Sequence, residues 1–174
     1  MTVSMERKSS FLPKIPADKI TTRKASGNDY EFFELLTEPL HAEMYSRQNF
    51  DFIQELSQGQ QLFLSYDYVR MQVMQGGFIQ FIQNGYVSLL LPMPGWLTSI
   101  GANEMAQLLD DVLKAYVTNI DVLERETTVE EFAQLYDQLP EFAILDEEFN
   151  SLDESTIHTM AVYAAAHLEE FVAF

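Results

Sequence analysis

One stretch decides the fold of this chain, and it reads Gln75-Gly76-Gly77-Phe78-Ile79-Gln80-Phe81-Ile82-Gln83-Asn84. Its two adjacent glycines stand between segments of helical pattern, in a chain that has only 7 glycines. Because glycine has no Cβ, the pair breaks a helix and allows other groups to approach the backbone closely. Gln80 and Asn84 lie four residues apart, on one face of the helix that resumes after the pair. We predict a kinked pair of helices in which these two amides bridge the backbone groups freed at the kink.

Helical spacing extends outward from the kink in both directions. Residues 60–75 place Leu62, Tyr66, Val69 and Val73 on one stripe, and residues 103–118 fit the helical template from an N-cap at Asn103. A short helix is predicted over residues 30–36, ending before Pro39, and another is marked by Phe50, Ile53 and Leu56 and closed by Gly59. Two more helices are opened by capping boxes, one at Thr127-x-x-Glu130 and one at Ser151-x-x-Glu154. The first of these two is stopped by Pro140. No alternating strand pattern competes with these helices. We therefore predict an all-α, single-domain, bundle-like array of about six to eight helices.

Composition is typical of a compact protein with one packed core. The 174 residues are 47% hydrophobic and include 13 Phe and 8 Tyr. The sequence contains no cysteine, which excludes disulfides, thiolate metal sites and cysteine nucleophiles. It opens with no secretory leader pattern and has no apolar run of membrane-spanning length. We expect a soluble, cytoplasmic protein that does not associate with a membrane.

Charge is strongly negative and unevenly distributed. The 10 Lys and Arg against 27 Asp and Glu give a net charge of −17, so a nucleic-acid backbone would be repelled. Residues 1–25 carry six basic and two acidic side chains, whereas 14 acidic residues from Asp121 onward are accompanied by Arg125 alone. We predict a flexible basic N-terminal arm over residues 1–27 and an acidic helical domain over residues 28–174. A further hypothesis is that the arm folds back on the acidic body and screens it until a partner competes.

The segment from Tyr86 to Trp96 does not fit the helical pattern. Its apolar run is too short for a buried helix, and Pro92 and Pro94 prevent the run from continuing as one. One interpretation is an extended segment or an apolar loop folded over the core. The alternative is an exposed patch for self-association, formed by Leu90, Met93 and Trp96.

Acidic residues of the C-terminal third form the candidate partner-binding surface. Like charges packed this closely repel one another, so they need either good solvation or a function. The set comprises Glu124, Glu126, Glu130, Glu131, Asp137, Glu141, Asp146, Glu147, Glu148, Asp153 and Glu154. Three interpretations compete: a solvated surface that keeps the protein in solution, a divalent-cation site at Asp146-Glu147-Glu148, and mimicry of DNA phosphates. The cation site lacks the EF-hand spacing, and adjacent carboxylates on a helix diverge, so the sequence disfavours it.

Catalytic patterns are missing from the sequence. None of His41, His158 and His167 has a metal-ligand spacing, and the chain contains no nucleophile elbow or phosphate-binding glycine loop. Asp110 and Asp111 are adjacent on a predicted helix, where they diverge by about 100° and cannot act as a paired acid and base. We predict no catalytic site, no metal and no cofactor.

The motif Gly76-Gly77-Phe78-x-Gln80-Phe81-x-x-Asn84 carries a resemblance. Together with Ser99-Ile100-Gly101-Ala102 and the helix that follows, it resembles a bacterial domain-of-unknown-function family whose best-understood member is the neisserial DNA-mimic protein. The resemblance covers residues 60–149 and departs from the family at Gln75, where its members carry Asn. It implies an all-helical, non-enzymatic, acidic protein that occupies the DNA-binding surface of another protein. Because the neisserial relative is thought to dimerise, the resemblance also favours a homodimer.

Charge and resemblance together give one leading hypothesis about function. It is a non-catalytic, acidic interaction protein that competes for the DNA-binding surface of a transcription regulator or another basic DNA-binding protein. The alternative is an immunity protein that neutralises a basic toxin, such as a nuclease, by covering its active cleft. Both hypotheses require a basic protein partner and predict association that weakens steeply with salt.

Overall fold

The structure, a computed structural model, describes residues 9–173 and is all-α, as predicted. Its α-helices are α1 (Ala17–Ala25), α2 (Asp29–Arg47), α3 (Gln58–Gln83), α4 (Met93–Ser99), α5 (Asn103–Thr118), α6 (Ile120–Leu123), α7 (Val129–Gln138) and α8 (Glu141–Ala166). Short 3₁₀ turns lie at Phe50–Glu55, Val87–Leu90 and Leu168–Glu170. Within the described residues, extended pairing is limited to one isolated bridge between Lys14 and Ala173. No helix in this part of the chain is long and apolar enough to cross a membrane.

The fold contains two compact units, whose boundaries fall within helices α3 and α8. Unit 1 comprises residues 9–64 and 157–173 of the described chain, and unit 2 comprises residues 65–156. In unit 1 the ring centroid of Phe63 lies 5.1 Å from that of Phe33 and 4.6 Å from that of Phe171. In unit 2 the ring centroid of Phe149 lies 5.6 Å from that of Phe78 and 5.9 Å from that of Tyr66. Each unit therefore has its own aromatic core.

Residues 9–27 form part of unit 1, although the sequence predicted a flexible arm over residues 1–27. Ile15 and Ile20 are buried, with 8% and 3% of their surface exposed, and Ile20 lies in α1. The backbone N–H of Ala173 donates to the carbonyl of Pro13 at 3.0 Å. The prediction gave weight to the basic and proline-containing composition and missed the two isoleucines that bury the segment. The rest of the predicted arm, residues 1–8, lies outside the described residues.

Two predicted helix ends in unit 1 were wrong. Helix α2 continues through Pro39 to Arg47, because Leu36, Leu40 and Met44 are buried on both sides of the proline and outweigh the lost hydrogen bond. Gly59 does not close a helix but lies in the first turn of α3. A Cβ at Gly59 would be 2.7 Å from Glu170 Oε2 and 2.8 Å from the Phe171 ring. Close approach of the C-terminal segment, rather than a helix end, therefore explains this glycine.

Helix starts in unit 2 also differ from the prediction in detail. Asn103 is the first residue of α5, and Ala102 occupies the capping position. The capping box of α7 is formed one residue later than predicted, by Thr128 and Glu131. No helix begins at Ser151, which lies inside α8 and donates its hydroxyl to the carbonyl of Glu148 at 2.8 Å. The Ser-x-x-Glu pattern does not start a new helix there, because buried residues such as Phe142 and Phe149 already fix α8 on the N-terminal side of Ser151.

The segment from Tyr86 to Trp96 is folded into unit 2. Val87–Leu90 forms a 3₁₀ turn, and α4 begins at Met93, between Pro92 and Pro94. Both prolines are accommodated because proline is tolerated in the first turn of a helix. Leu90 and Met93 have no exposed surface, and Trp96 is half-buried. Leu90 and Met93 are therefore core residues and cannot form an exposed self-association patch. The interpretation of an apolar segment packed onto the core describes them correctly.

Candidate protein-interaction surface

The kink in α3 is centred on Gly77. Its φ of 78° and ψ of 178° interrupt the helix and free two neighbouring backbone groups. The N–H of Phe78 donates to Asp146 Oδ1 at 2.8 Å, and the Tyr136 hydroxyl donates to Asp146 Oδ2 at 2.7 Å while lying 3.3 Å from the carbonyl oxygen of Gly76. The prediction of a kink was correct, but its two amides do not serve the freed backbone. Gln80 and Asn84 instead donate to Gln72 Oε1, at 3.3 and 2.9 Å.

Asp146 is thus a structural residue at the kink rather than a free surface carboxylate. Burial raises the pKa of its carboxyl group, and the Phe78 N–H and the Tyr136 hydroxyl oppose that shift without cancelling it. Burial and the bond to Asp146 likewise raise the pKa of Tyr136. Tyr136 and Asp146 are far from Gly77 in the sequence, so their contacts with the kink could not be predicted. The sequence analysis therefore placed Asp146 wrongly among exposed acids.

We expect Asp146→Asn to change how stability depends on pH. A carboxyl group whose pKa is raised by folding stabilises the native state most below its unfolded pKa, and this contribution is lost as the pH rises through the folded pKa. The wild type should therefore gain stability relative to the variant as the pH falls from 7 towards 4. Urea unfolding of both proteins at pH 7, 5.5 and 4 measures this difference. A constant difference across the three pH values would contradict the assigned environment of Asp146.

Asp153 and Glu141 are also held by neighbours within unit 2. Only 6% of the Asp153 surface is exposed, and its carboxylate accepts the Tyr66 hydroxyl at 2.7 Å and Arg70 Nε at 2.8 Å. Burial, followed by the charge of Asp153, raises the pKa of Tyr66. Half-buried Glu141 accepts from Asn119 Nδ2 at 3.0 Å. The prediction that Asp153 binds a partner is wrong because its carboxylate is buried, and Glu141 is only partly accessible.

The other eight predicted acids are exposed on unit 2. They are Glu124, Glu126, Glu130, Glu131, Asp137, Glu147, Glu148 and Glu154. Within residues 9–173, none of them forms an ion pair with a Lys, Arg or His side chain. Unit 2 has only three basic residues, and two of these, Arg70 and Lys114, are paired with Asp153 and with Asp110 and Asp111. The surface therefore carries negative charge that the described part of the chain leaves largely uncompensated.

Four of these acids form two pairs with the same helical spacing. Glu130 and Asp137 are seven residues apart on α7, and Glu147 and Glu154 are seven apart on α8. Seven residues make nearly two full turns, so each pair lies on one face with a rise of about 10 Å along the axis. Each pair therefore presents two carboxylates about 10 Å apart on one helix face, where the Lys and Arg side chains of a partner can contact them.

The region just described matches the model of a known protein family. The family model described as DMP19-like protein matches residues 54–167, which is more than half of the chain. The chain belongs to the DMP19-like protein family. The matched residues of this DMP19-like chain include the Gly76–Asn84 motif and all eleven predicted acids. No curated protein matches the chain.

An open groove that the sequence did not predict lies beside the kink of this DMP19-like chain. Its volume is about 490 Å³, and it is bounded by the end of α3 and the start of α7. The lining residues are Gln75, Gln80, Gln83, Asn84, Thr127, Thr128, Val129 and Phe132. The sequence indicated only the Gln80 and Asn84 side of this groove, through their helical spacing. The residues that α7 contributes to the lining depend on tertiary packing.

The Asp146-Glu147-Glu148 run cannot direct all three carboxylates at one cation. Asp146 faces the kink through its bonds to Phe78 and Tyr136, whereas Glu147 and Glu148 are exposed on α8. In the part of the DMP19-like chain that the structure describes, no three His, Asp or Glu side chains are placed to hold a metal ion.

Proposed function

We propose that this chain is a non-catalytic DNA mimic that occupies the DNA-binding surface of a basic protein, such as a transcription regulator. The observation that carries the proposal is the exposed set of eight carboxylates on unit 2, which have no cationic partner among residues 9–173. Membership of the DMP19-like family supports the same function.

The proposed mechanism is competition for the same Lys and Arg side chains that contact DNA. Carboxylates accept charge-assisted hydrogen bonds from Lys and Arg, and two oxygens can accept a guanidinium in the bidentate manner of a phosphate. Because α7 and α8 are helices, Glu130, Asp137, Glu147 and Glu154 are held at fixed positions and need little ordering on binding. The mimic should therefore bind more strongly than a flexible acidic peptide of the same charge.

Charge reversal on α7 should weaken the complex specifically. We expect the double variant Glu130→Lys, Asp137→Lys to lose about tenfold or more in affinity for the captured partner, because two attractive contacts become repulsive. The measurement is capture from a lysate of the encoding organism on immobilised protein, followed by titration with the purified partner. Unfolding curves must remain those of the wild type, since both side chains are exposed.

A matched control separates a local contact from net charge. Glu34→Lys with Glu38→Lys changes the formal charge by the same amount on exposed positions of α2 in unit 1. The proposal requires this control to bind nearly as well as the wild type. Equal weakening by both double variants would mean that only net charge attracts the partner and would remove α7 from the interface. Capture of a basic nuclease, rather than a DNA-binding regulator, would favour an immunity protein over a DNA mimic.

A further inference from the structure

Helix α7 carries three of the exposed acids but contributes little to the core of unit 2. The structure describes all ten of its residues, and among them Leu135 alone is buried, while Phe132 and Tyr136 are half-buried. The other seven, which include the three acids, are exposed. A helix that buries so little apolar surface gains little stability from packing. The position of α7 therefore depends on its other contacts with neighbouring elements.

One such contact holds the C-terminal half of α7 against the kink. Tyr136 donates its hydroxyl to Asp146 Oδ2 at 2.7 Å, and Asp146 Oδ1 accepts the N–H of Phe78 at 2.8 Å. The same hydroxyl lies 3.3 Å from the carbonyl oxygen of Gly76. It can approach this closely because Gly77 has no side chain, and a Cβ at Gly77 would overlap the hydroxyl. The glycine pair therefore provides the docking point for Tyr136.

A second contact holds the chain just before α7 to the same part of α3. Thr127 donates its hydroxyl to Gln83 Oε1 at 3.1 Å. The side-chain nitrogen of Gln83 lies 3.5 Å from the carbonyl oxygen of Leu123, the last residue of α6. Gln83 therefore contacts both sides of residues 124–126, which carry two more of the exposed acids, Glu124 and Glu126. Both contacts with α7 and its approach are thus made by residues 76–83, within the stretch that decided the fold.

We propose that residues 76–83 form a clasp that sets the position of α7, with Tyr136 and Thr127 as positioning residues. Hydrogen bonds depend on direction as well as distance, so one at each end restricts both the rotation of α7 and its displacement along its axis. This position decides where the carboxylates of Glu130 and Asp137 lie. For its use in binding, the inference rests on the proposed function, because acids already held in place need less ordering when a partner binds.

Tyr136→Phe tests the clasp because it removes the hydroxyl and keeps the ring. Tyr66→Phe is the matched control, since it removes a tyrosine hydroxyl that is also 2.7 Å from an aspartate oxygen of unit 2, that of Asp153. Amide hydrogen exchange of the full chain, followed by NMR, measures the opening of each helix. We expect Tyr136→Phe to speed exchange in α7 about fivefold or more relative to α5, whereas Tyr66→Phe should leave this ratio unchanged.

Thr127→Val removes the second contact with nearly the same side-chain shape. It should also raise the ratio of exchange rates between α7 and α5, because the chain entering α7 is then released from Gln83. Equal ratios in Tyr136→Phe and Tyr66→Phe would overturn the clasp. A ratio that stays at the wild-type value in Thr127→Val would remove Thr127 from it.

Partner affinity separates a positioning role from a purely structural one. At temperatures well below unfolding, loss of overall stability alone leaves almost every molecule folded and the affinity unchanged. The proposal requires Tyr136→Phe to bind the captured partner about threefold or more weakly than Tyr66→Phe does. Equal affinities, with binding still weakened by Glu130→Lys and Asp137→Lys, would overturn the positioning role and leave the proposed function intact. The exchange measurement needs no partner, so it decides whether the clasp holds α7 even if the charge reversal has no effect on binding.

Discussion

Gly77→Ala is expected to destabilise the protein by about 3 kcal/mol or more. The backbone at Gly77, with φ 78° and ψ 178°, lies in a region that is open almost only to glycine, and forcing another residue into it costs about 1–3 kcal/mol. The added Cβ would also lie 1.9 Å from the Tyr136 hydroxyl oxygen and 2.3 Å from Asp146 Oδ2. Relieving such overlap in a packed site costs about a further 1–3 kcal/mol. Urea unfolding followed by circular dichroism measures the change.

Two other glycines separate the causes of this loss. Gly85 has a φ of 84°, but a Cβ there would meet nothing within 4 Å, so Gly85→Ala should cost only about 1–2 kcal/mol of backbone strain. Gly95 lies in α4 with open space around it, and Gly95→Ala should stabilise the helix by about 0.5–1 kcal/mol. If Gly77→Ala costs no more than Gly85→Ala, the network of Tyr136 and Asp146 does not hold the kink.

Asp153→Ala is expected to cost about 3–5 kcal/mol, the usual loss when one member of a buried pair is removed. Arg70 would lose its bond to Asp153 Oδ2 at 2.8 Å, and the fully buried Tyr66 hydroxyl would lose its bond to Oδ1 at 2.7 Å. Both bonds lie in a buried setting, where water cannot readily replace the lost carboxylate, so their loss is costly. Chemical unfolding again provides the measurement.

The neighbouring acid is the control for Asp153. Glu154 is exposed on the same helix, so Glu154→Ala should leave the unfolding midpoint almost unchanged. Glu154 belongs to the proposed interaction surface and Asp153 does not. Glu154→Ala should therefore weaken partner binding more than Asp153→Ala does. A stable Asp153→Ala variant with wild-type midpoint would contradict the described role of the Tyr66–Asp153–Arg70 cluster.

Local patterns predicted the elements whose ends are determined locally. Helix α5 occupies residues 103–118, as expected from its apolar periodicity, and Met105, Leu108, Leu109 and Val112 are buried. The kink at Gly77 follows from the glycine pair itself. Pro39 was misjudged because burial of Leu36 and Leu40 keeps α2 continuous, and this burial depends on tertiary packing.

The roles of individual acids could not be read from the sequence. Asp153 and Glu154 are adjacent and chemically alike, yet one is buried against Tyr66 and Arg70 and the other is exposed. The partners that decide this difference lie more than 80 residues away in the chain. The groove beside the kink has the same origin, because the end of α3 and the start of α7 must meet before it exists.

DNA mimicry is tested most directly by competition between this protein and duplex DNA for the captured partner. Fluorescently labelled DNA is bound to the purified partner at constant ionic strength, and the unlabelled protein is added while anisotropy is followed. DNA mimicry predicts that the DNA is released as the protein binds, that the two ligands exclude each other, and that the Glu130→Lys, Asp137→Lys variant releases DNA poorly. A ternary complex in which the partner holds both DNA and this protein would contradict DNA mimicry.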